Sequence, residues 1–195
     1  DSVRNVNNRQ IPAVVSLADG SVRELAGETD MRAPEFAADG AHIVYSTSVP
    51  TKTSYDNRSG TESGVFRVNI ASGKIDTLLK PAARRVAARW NDDGTAFAYD
   101  DRGNVFVRYV NEDSARNLTA RYRPRATRAD SAQRDTSRTA YTTVAWRPDG
   151  GSLLVSTRDG WHLLDPHTGA ISAAYTFESD TSKRPGRTFE GWSKD

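Results

Sequence analysis

Histidines and adjacent aspartates are the residues of this chain whose types suit metal binding or acid–base chemistry. The histidines are His42, His162 and His167. No two of them have the His-x-x-x-His spacing of a zinc site, and the chain has no cysteine to complete one. Spacing does not decide whether they meet in space, but it gives no reason to assign a metal. We therefore predict no metal ligand.

The adjacent aspartates are Asp92-Asp93 and Asp100-Asp101. Two carboxylates on either side of a sugar can hydrolyse a glycosidic bond, and spacing alone leaves that chemistry open. Neither pair has the alternating oxygen ligands and terminal Glu of a calcium loop. Because Asp favours turns, and Gly94 and Gly103 follow the two pairs, we interpret both as turn residues.

A serine nucleophile needs the Gly-x-Ser-x-Gly pattern on a strand-to-helix turn. Ser59 and Ser63 lie near Gly60 and Gly64, but the spacing is wrong and the surroundings are polar. The chain also has no Ser-x-x-Lys pair. We therefore predict no catalytic residue and no cofactor-binding residue within this chain.

A repeated motif organises the chain instead. In each copy an aromatic residue stands three positions before an Asp, and in the first three copies a Gly follows that Asp. The aromatic residues of the four copies, called the repeat aromatics below, are Phe36, Trp90, Trp146 and Trp192. Such an aromatic ends a short strand, and Asp-Gly makes the tight turn to the next one. We therefore expect three of the four tryptophans to pack between sheets, and Trp161, within a strand, to lie in the core. A stacking surface for a sugar or a nucleic acid is the alternative.

Each copy of the motif ends the first of four short strands that are separated by turns. Four such strands are the layout of a propeller blade. The sequence predicts an all-β fold, a β-propeller with TolB-like or WD-like blades of four antiparallel strands. The predicted segments are the end of one blade at 11–26, whole blades at 33–80, 86–119 and 142–177, and the start of another at 188–195.

Three whole blades and two partial ones suggest part of a larger propeller, although two joined half-blades would instead close a four-bladed ring. The blades exceed the usual 40–45 residues or so because of two insertions, at 49–63 and 120–140. We expect both insertions to be loops on one rim. The second is rich in arginine, and we expect a solvated loop there or a surface that contacts a partner.

Composition is compatible with a folded domain, because 36% of the residues are hydrophobic and 27% are charged. No apolar run approaches the length of a membrane span. The net charge of +2 is not typical of a nucleic-acid-binding protein, since 25 acidic residues are interspersed with the basic ones. The preference for Arg over Lys suggests a bacterial, high-GC source. A cysteine-free chain leaves the compartment open, with a periplasmic or secreted location favoured over the cytoplasm.

The best copy of the repeat is Trp146-Arg147-Pro148-Asp149-Gly150, followed by Asp165-Pro166-His167-Thr168-Gly169. This pattern resembles TolB-like propellers and the propeller of the prolyl oligopeptidase family, which includes dipeptidyl peptidase IV-like and acylaminoacyl-peptidase-like enzymes. The long, irregular blades favour the peptidase group. The resemblance covers nearly the whole chain, and it indicates the fold more strongly than the function.

Membership of the peptidase group would imply a propeller that restricts substrate access to a serine peptidase. The α/β-hydrolase domain, the expected partner, would then lie outside this chain together with its catalytic Ser, Asp and His. The paired glutamates with which some dipeptidyl peptidases hold a substrate have no counterpart here. The alternatives are a TolB-like protein-binding module without an enzyme and a propeller fused to an amidohydrolase-type domain.

Overall fold

The computed structural model describes residues 11–25, 27, 31–50, 61–83, 86–122, 139–178 and 188–193. The chain divides into two compact units, unit 1 at Asp1–Ala88 and unit 2 at Arg89–Asp195. Within the described ranges the regular structure is β-strand, apart from one 3₁₀ turn at Ala120–Tyr122. No helix in these ranges is long and apolar enough to cross a lipid bilayer.

Unit 1 contains a strand pair and a four-stranded sheet. The pair consists of β1 (Ala13–Val15) and β2 (Val22–Glu24). The sheet has the order β3 (Met31–Phe36), β4 (His42–Pro50), β5 (Thr61–Asn69) and β6 (Ile75–Ala83), with all neighbours antiparallel. Its small buried cluster joins the pair to the sheet and consists of Leu25, Ile43, Tyr45 and Val68.

Unit 2 contains two four-stranded antiparallel sheets. The first is formed by β7 (Arg89–Trp90), β8 (Ala96–Asp101), β9 (Asn104–Tyr109) and β10 (Arg116–Asn117). The second is formed by β11 (Thr142–Trp146), β12 (Leu153–Ser156), β13 (Gly160–Leu164) and β14 (Ile171–Thr176). One larger core joins the two sheets, and it includes Ala96, Val107, Trp146 and Leu153.

The predicted fold class is confirmed, because three four-stranded antiparallel sheets follow one another along the chain. Each sheet has an Asp-Gly turn between its first two strands. The second strands are buried on both faces: Ala96, Phe97, Ala98 and Tyr99 are all at most 4% exposed. This burial explains why the second strands are continuous apolar runs in the sequence rather than alternating ones.

Strand pairing reaches further into the first insertion than the loop assignment predicts. β4 continues to Pro50 and β5 begins at Thr61, with Val49 opposite Glu62 and Ser48 opposite Ser63. An antiparallel hairpin lengthens in this way while its backbone N–H and C=O groups still find partners. The rest of that insertion, 51–60, lies outside the described residues, as does 123–138 of the second insertion.

Residues 188–193 follow the last sheet and contain the fourth repeat aromatic, but they form no strand. They contact the last sheet through the Trp192 indole, whose Nε1 donates to the carbonyl of Trp146 at 2.6 Å. Lys194 and Asp195, which complete the predicted start of a further blade, lie outside the described residues.

Candidate functional site

His42, the histidine of unit 1, stabilises a turn. Its Nδ1 lies 2.7 Å from Asp39 Oδ2, and the Asn69 amide nitrogen lies 3.2 Å from its Nε2. Which ring nitrogen donates and which accepts in these two contacts depends on the tautomer of His42. The backbone N–H of Ala41 is the main cause that keeps the pKa of Asp39 below its usual value, with a smaller effect from His42. Both ring nitrogens are therefore engaged, one by Asp39 in the turn before β4 and one by Asn69 on the neighbouring strand β5.

The two histidines of unit 2 lie in different places. His162 Nε2 is 3.1 Å from the Thr157 hydroxyl, next to the turn between β12 and β13. His167 stacks on Tyr109, with ring centroids 5.6 Å apart, and its Nδ1 is 3.2 Å from the Tyr109 hydroxyl. Among the described residues, no three His, Asp or Glu side chains are grouped as metal ligands.

The first aspartate pair, Asp92-Asp93, lies in a turn as predicted, whereas the second pair, Asp100-Asp101, forms the end of strand β8. Asp93 Oδ1 accepts from the backbone N–H and the hydroxyl of Thr95, and these bonds lower the Asp93 pKa. Asp101 pairs with Asn104 across the turn that joins β8 to β9, and Asp100 Oδ1 lies 3.4 Å from the backbone nitrogen of Thr143. The two pairs belong to opposite ends of β8, so they do not form one carboxylate site.

Of the two serines considered, Ser59 lies outside the described residues. Ser63 is 3% exposed within β5 and lies opposite Ser48 and Ala82 in the neighbouring strands. A serine in the middle of a sheet is not on the exposed turn from which a nucleophile attacks a substrate.

Two of the three repeat aromatics of unit 2, Trp146 and Trp192, contact the first strand of the preceding blade, whereas Trp90 packs on Phe97 of its own sheet with ring centroids 4.8 Å apart. Trp146 is 6% exposed, and its Nε1 donates to the carbonyl of Arg89 in β7 at 2.7 Å. Trp192 makes the equivalent bond to the carbonyl of Trp146 in β11. Trp161 is partly buried and belongs to a cluster with Tyr175, Phe177 and Phe189. Each indole thus packs beside a blade rather than forming an open stacking face.

A second inter-blade contact was not predicted from the sequence. A side-chain carbon placed on Gly73 would lie 3.2 Å from the carbonyl oxygen of Leu25, and one on Gly169 would lie 2.8 Å from that of Leu118. Both glycines follow the third strand of a blade, and both leucines follow the fourth strand of the blade before it. The recurring Gly at this turn, visible in the sequence, was the only signal of this contact.

Unit 1 contains a groove of which the sequence gave no direct indication. Its volume is about 870 Å³. One wall is formed by residues 11–16 together with Ser21, Arg23 and Leu25, and the other by Met31, Pro34–Phe36, Gly40, Ile43 and Ile70. We call this space the groove.

The lining of the groove is largely apolar. Arg23 is its cationic residue, and its guanidinium donates to the carbonyl of Ala71 at 2.6 Å. Glu35 is exposed at the opposite wall. Several apolar side chains that line the groove remain open to solvent: Ile11 is 48%, Val15 58% and Phe36 73% exposed. An open space with this lining favours an apolar or extended peptide occupant over a small charged ligand.

The chain is similar to known proteins in structure but matches none in sequence. No protein-family model matches the chain, and no curated protein matches it in sequence. A prolyl endopeptidase structure superposes with a TM-score of 0.60 at 14% identity, over 88% of this chain and 26% of that one. The acylaminoacyl peptidase of Pyrococcus horikoshii gives 0.51 at 10% identity, over 83% and 27%. TolB from Acinetobacter baumannii gives 0.49 at 15% identity, over 88% and 39%.

This chain therefore spans only a quarter to two-fifths of the length of these proteins. At such identities the likeness shows the fold alone, and the two peptidase matches have TM-scores above 0.5. The repeat motif, the three four-stranded sheets and the two peptidase matches agree with one another. The chain has the β-propeller fold.

Proposed function

We propose that this chain is a non-catalytic propeller part of a serine peptidase of the prolyl oligopeptidase family, and that it gates or positions the peptide substrate. The α/β-hydrolase domain is its partner in the same polypeptide and lies outside these 195 residues. A periplasmic or secreted location belongs to the same proposal. The motif resemblance and the two peptidase neighbours support it.

The observation that carries the proposal is the set of hydrogen bonds made by the His and Asp side chains of the described residues. His42, His162 and His167 each bind a neighbour in a turn or an adjoining blade. Asp39, Asp93 and Asp165 accept backbone N–H groups two or three residues further along the chain. A scaffold that commits its titratable groups to turns contributes shape to a reaction, and another domain supplies the nucleophile.

The position of the insertions supports a gating role. In the last blade, Thr142 at the start of β11 lies opposite Ser156, and Trp161 lies opposite Tyr175. The starts of the first and third strands therefore share one edge of the blade with the ends of the second and fourth. Residues 51–60 connect a second strand to a third, and 123–138 connect a fourth to a first. The described residues on either side of each insertion therefore lie at this edge of their blades.

The test compares the 195-residue chain with the longer polypeptide that contains it. We expect the chain alone to hydrolyse no aminoacyl or dipeptidyl chromogenic substrate, and the longer polypeptide to hydrolyse them. Shortening 123–138 to a four-residue Gly-Ser linker should raise kcat/KM for long peptides relative to short chromogenic ones, because a gate acts on size. A matched variant that keeps the full length of 123–138 but replaces its five arginines with glutamine separates loop length from charge.

Two results would contradict the proposal. One is a longer polypeptide that lacks a Gly-x-Ser-x-Gly segment, which leaves a protein-binding module or another attached enzyme as the function. The other is turnover by the purified 195-residue chain itself.

A further inference from the structure

The turn between β8 and β9 has an unfavourable residue at a strained position. It is a two-residue turn, because Asp101 pairs with Asn104 and only Arg102 and Gly103 lie between them. Both central residues have positive φ, +50° at Arg102 and +75° at Gly103. A turn of this kind favours Asn, Asp or Gly at its first central position, since a larger side chain crowds the backbone there. Arg102 is not one of these residues.

The conformation of Arg102 is unusual within this chain. Among the described residues, positive φ is otherwise confined to glycines and to Ala33. The corresponding turn of the last blade, between β12 and β13, also contains an exposed arginine, Arg158, but its φ is not positive. An arginine at this place in a blade therefore does not require the strained conformation.

Packing of the Arg102 side chain does not offset the strain. The side chain is 88% exposed, and its Nε lies 4.0 Å from Asp101 Oδ1, at the outer limit of an ion pair. Ion pairs on a protein surface contribute little to stability. Strained residues without such an offset are concentrated at sites of binding and catalysis. This favours a binding role for the guanidinium.

The backbone of the turn is held by the next blade. The N–H of Tyr141 donates to the carbonyl of Gly103 at 2.9 Å, and Asp100 Oδ1 lies 3.4 Å from the backbone nitrogen of Thr143. Tyr141 and Thr143 are both at most 8% exposed. Arg102 therefore projects from a fixed base, at the blade edge where second strands end and third strands begin. A fixed base lowers the cost of ordering a binding group.

We propose that Arg102 binds a carboxylate of the peptide substrate, supplied by an acidic side chain or by the C-terminus of the peptide, and so determines specificity. The planar guanidinium can donate two parallel N–H bonds to a carboxylate, which an uncharged amide cannot match. The identity of the ligand as a peptide rests on the proposed function. The strain and exposure of Arg102 do not.

The kinetic test uses the longer polypeptide and three peptides of one sequence. The first contains a Glu and ends in an amide, the second has Gln in place of that Glu, and the third is the Gln peptide with a free C-terminal carboxylate. Arg102→Asn should lower kcat/KM by at least about tenfold for one of the two carboxylate peptides, and by less than about twofold for the uncharged peptide. The affected peptide identifies the source of the carboxylate.

Arg158→Asn is the matched control, because it removes the same charge from the corresponding turn of the next blade. It should leave kcat/KM unchanged for all three peptides. Arg102→Lys keeps the charge but not the planar donor pair, so it should restore only part of the preference for the carboxylate peptide.

A stability measurement tests the strain separately. Arg102→Asn in the 195-residue chain should raise Tm by about 2 °C or more, because Asn tolerates positive φ better than Arg does. Arg158→Asn should not raise Tm. A variant that is more stable but less selective for carboxylates is not expected if Arg102 has a structural role alone.

Binding without turnover distinguishes failure of this inference from failure of the proposed function. The three peptides are titrated into the 195-residue chain, and the Nε–H resonance of Arg102 is followed by NMR. A shift with a carboxylate peptide, but not with the uncharged peptide, supports carboxylate binding even if the longer polypeptide is not a peptidase.

Three outcomes would overturn the inference. The first is an unchanged or lower Tm in Arg102→Asn, since the position would then not be strained by arginine. The second is an equal kinetic loss in Arg158→Asn, which would indicate a general effect of surface charge. The third is the same response to carboxylate and uncharged peptides in both the kinetics and the titration.

Discussion

Phe36 in unit 1 and Trp146 in unit 2 stand at the same position of the same repeat, but their surroundings differ. Trp146 is 6% exposed and donates to a carbonyl of β7, the first strand of the preceding blade. Phe36 is 73% exposed at the wall of the groove. The strand pair next to Phe36 has no first strand among the described residues.

This difference shows that the repeat motif does not by itself bury its aromatic residue. The motif ends a strand and makes a turn, and both are formed in the two units. Burial depends on the first strand of another blade, which the described residues include beside Trp146 but not beside Phe36. The contact between the turn glycine and the preceding leucine is made in both units, because the strands that it needs are present in both.

The largest expected effect comes from truncating the buried aromatic residue. Trp146→Ala removes a large ring from the core and a hydrogen bond to Arg89, so we expect the free energy of unfolding to fall by about 3–5 kcal/mol. The matched variant Phe36→Ala should cost less than about 1 kcal/mol, because its ring is mostly in solvent. Urea denaturation of both variants measures the difference. Equal losses would mean that Phe36 is covered in solution.

A smaller effect is expected at the turns that follow third strands. Gly169 and Gly20 both have φ near +68°, where a side chain costs about 1–2 kcal/mol. A Cβ on Gly169 would also lie 2.8 Å from the Leu118 carbonyl oxygen, whereas one on Gly20 meets nothing within 4 Å. Gly169→Ala should therefore destabilise by about 1–3 kcal/mol more than Gly20→Ala, as measured by thermal unfolding. A larger loss for Gly20→Ala would show that the turn of the strand pair is also covered.

The smallest expected effect is a pH dependence shared by both units. Hydrogen bonds from Ser16 and Ser21 lower the pKa of Asp19 from 3.8 to about 2, and Asp39 and Asp93 shift in the same direction. A carboxyl whose pKa is lower in the folded state stabilises the fold above its unfolded pKa. This contribution is lost as the pH falls from about 4 towards 2.

Asp39→Asn in unit 1 and Asp93→Asn in unit 2 keep an acceptor oxygen but do not titrate in this range. Each variant should weaken the dependence of the urea midpoint on pH between 5 and 2.5 to a similar degree. A weakening seen with only one of the two variants would contradict the local origin of the effect.

The sequence predicted the elements of the fold more fully than the features of the candidate site. The Asp-Gly turns, the apolar second strands and the order of four strands per blade depend on neighbouring residues, so they can be predicted from local pattern. The strands β1 and β2 lie within the segment predicted to end a blade, but the groove beside them was not predicted, because its lining combines residues of two different sheets. The extension of β4 and β5 into the first insertion was missed because its polar composition hides the pairing of Val49 with Glu62.

For this protein, the sequence by itself determined the repeat, the turns and the strand order, because backbone conformation and turn hydrogen bonds involve residues a few positions apart. Only the tertiary structure decided which aromatic residues are buried, which histidine contacts which neighbour, and where the groove forms. These outcomes depend on contacts between residues such as Arg89 and Trp146, which lie in different blades and whose hydrogen bond spans 57 positions of the chain.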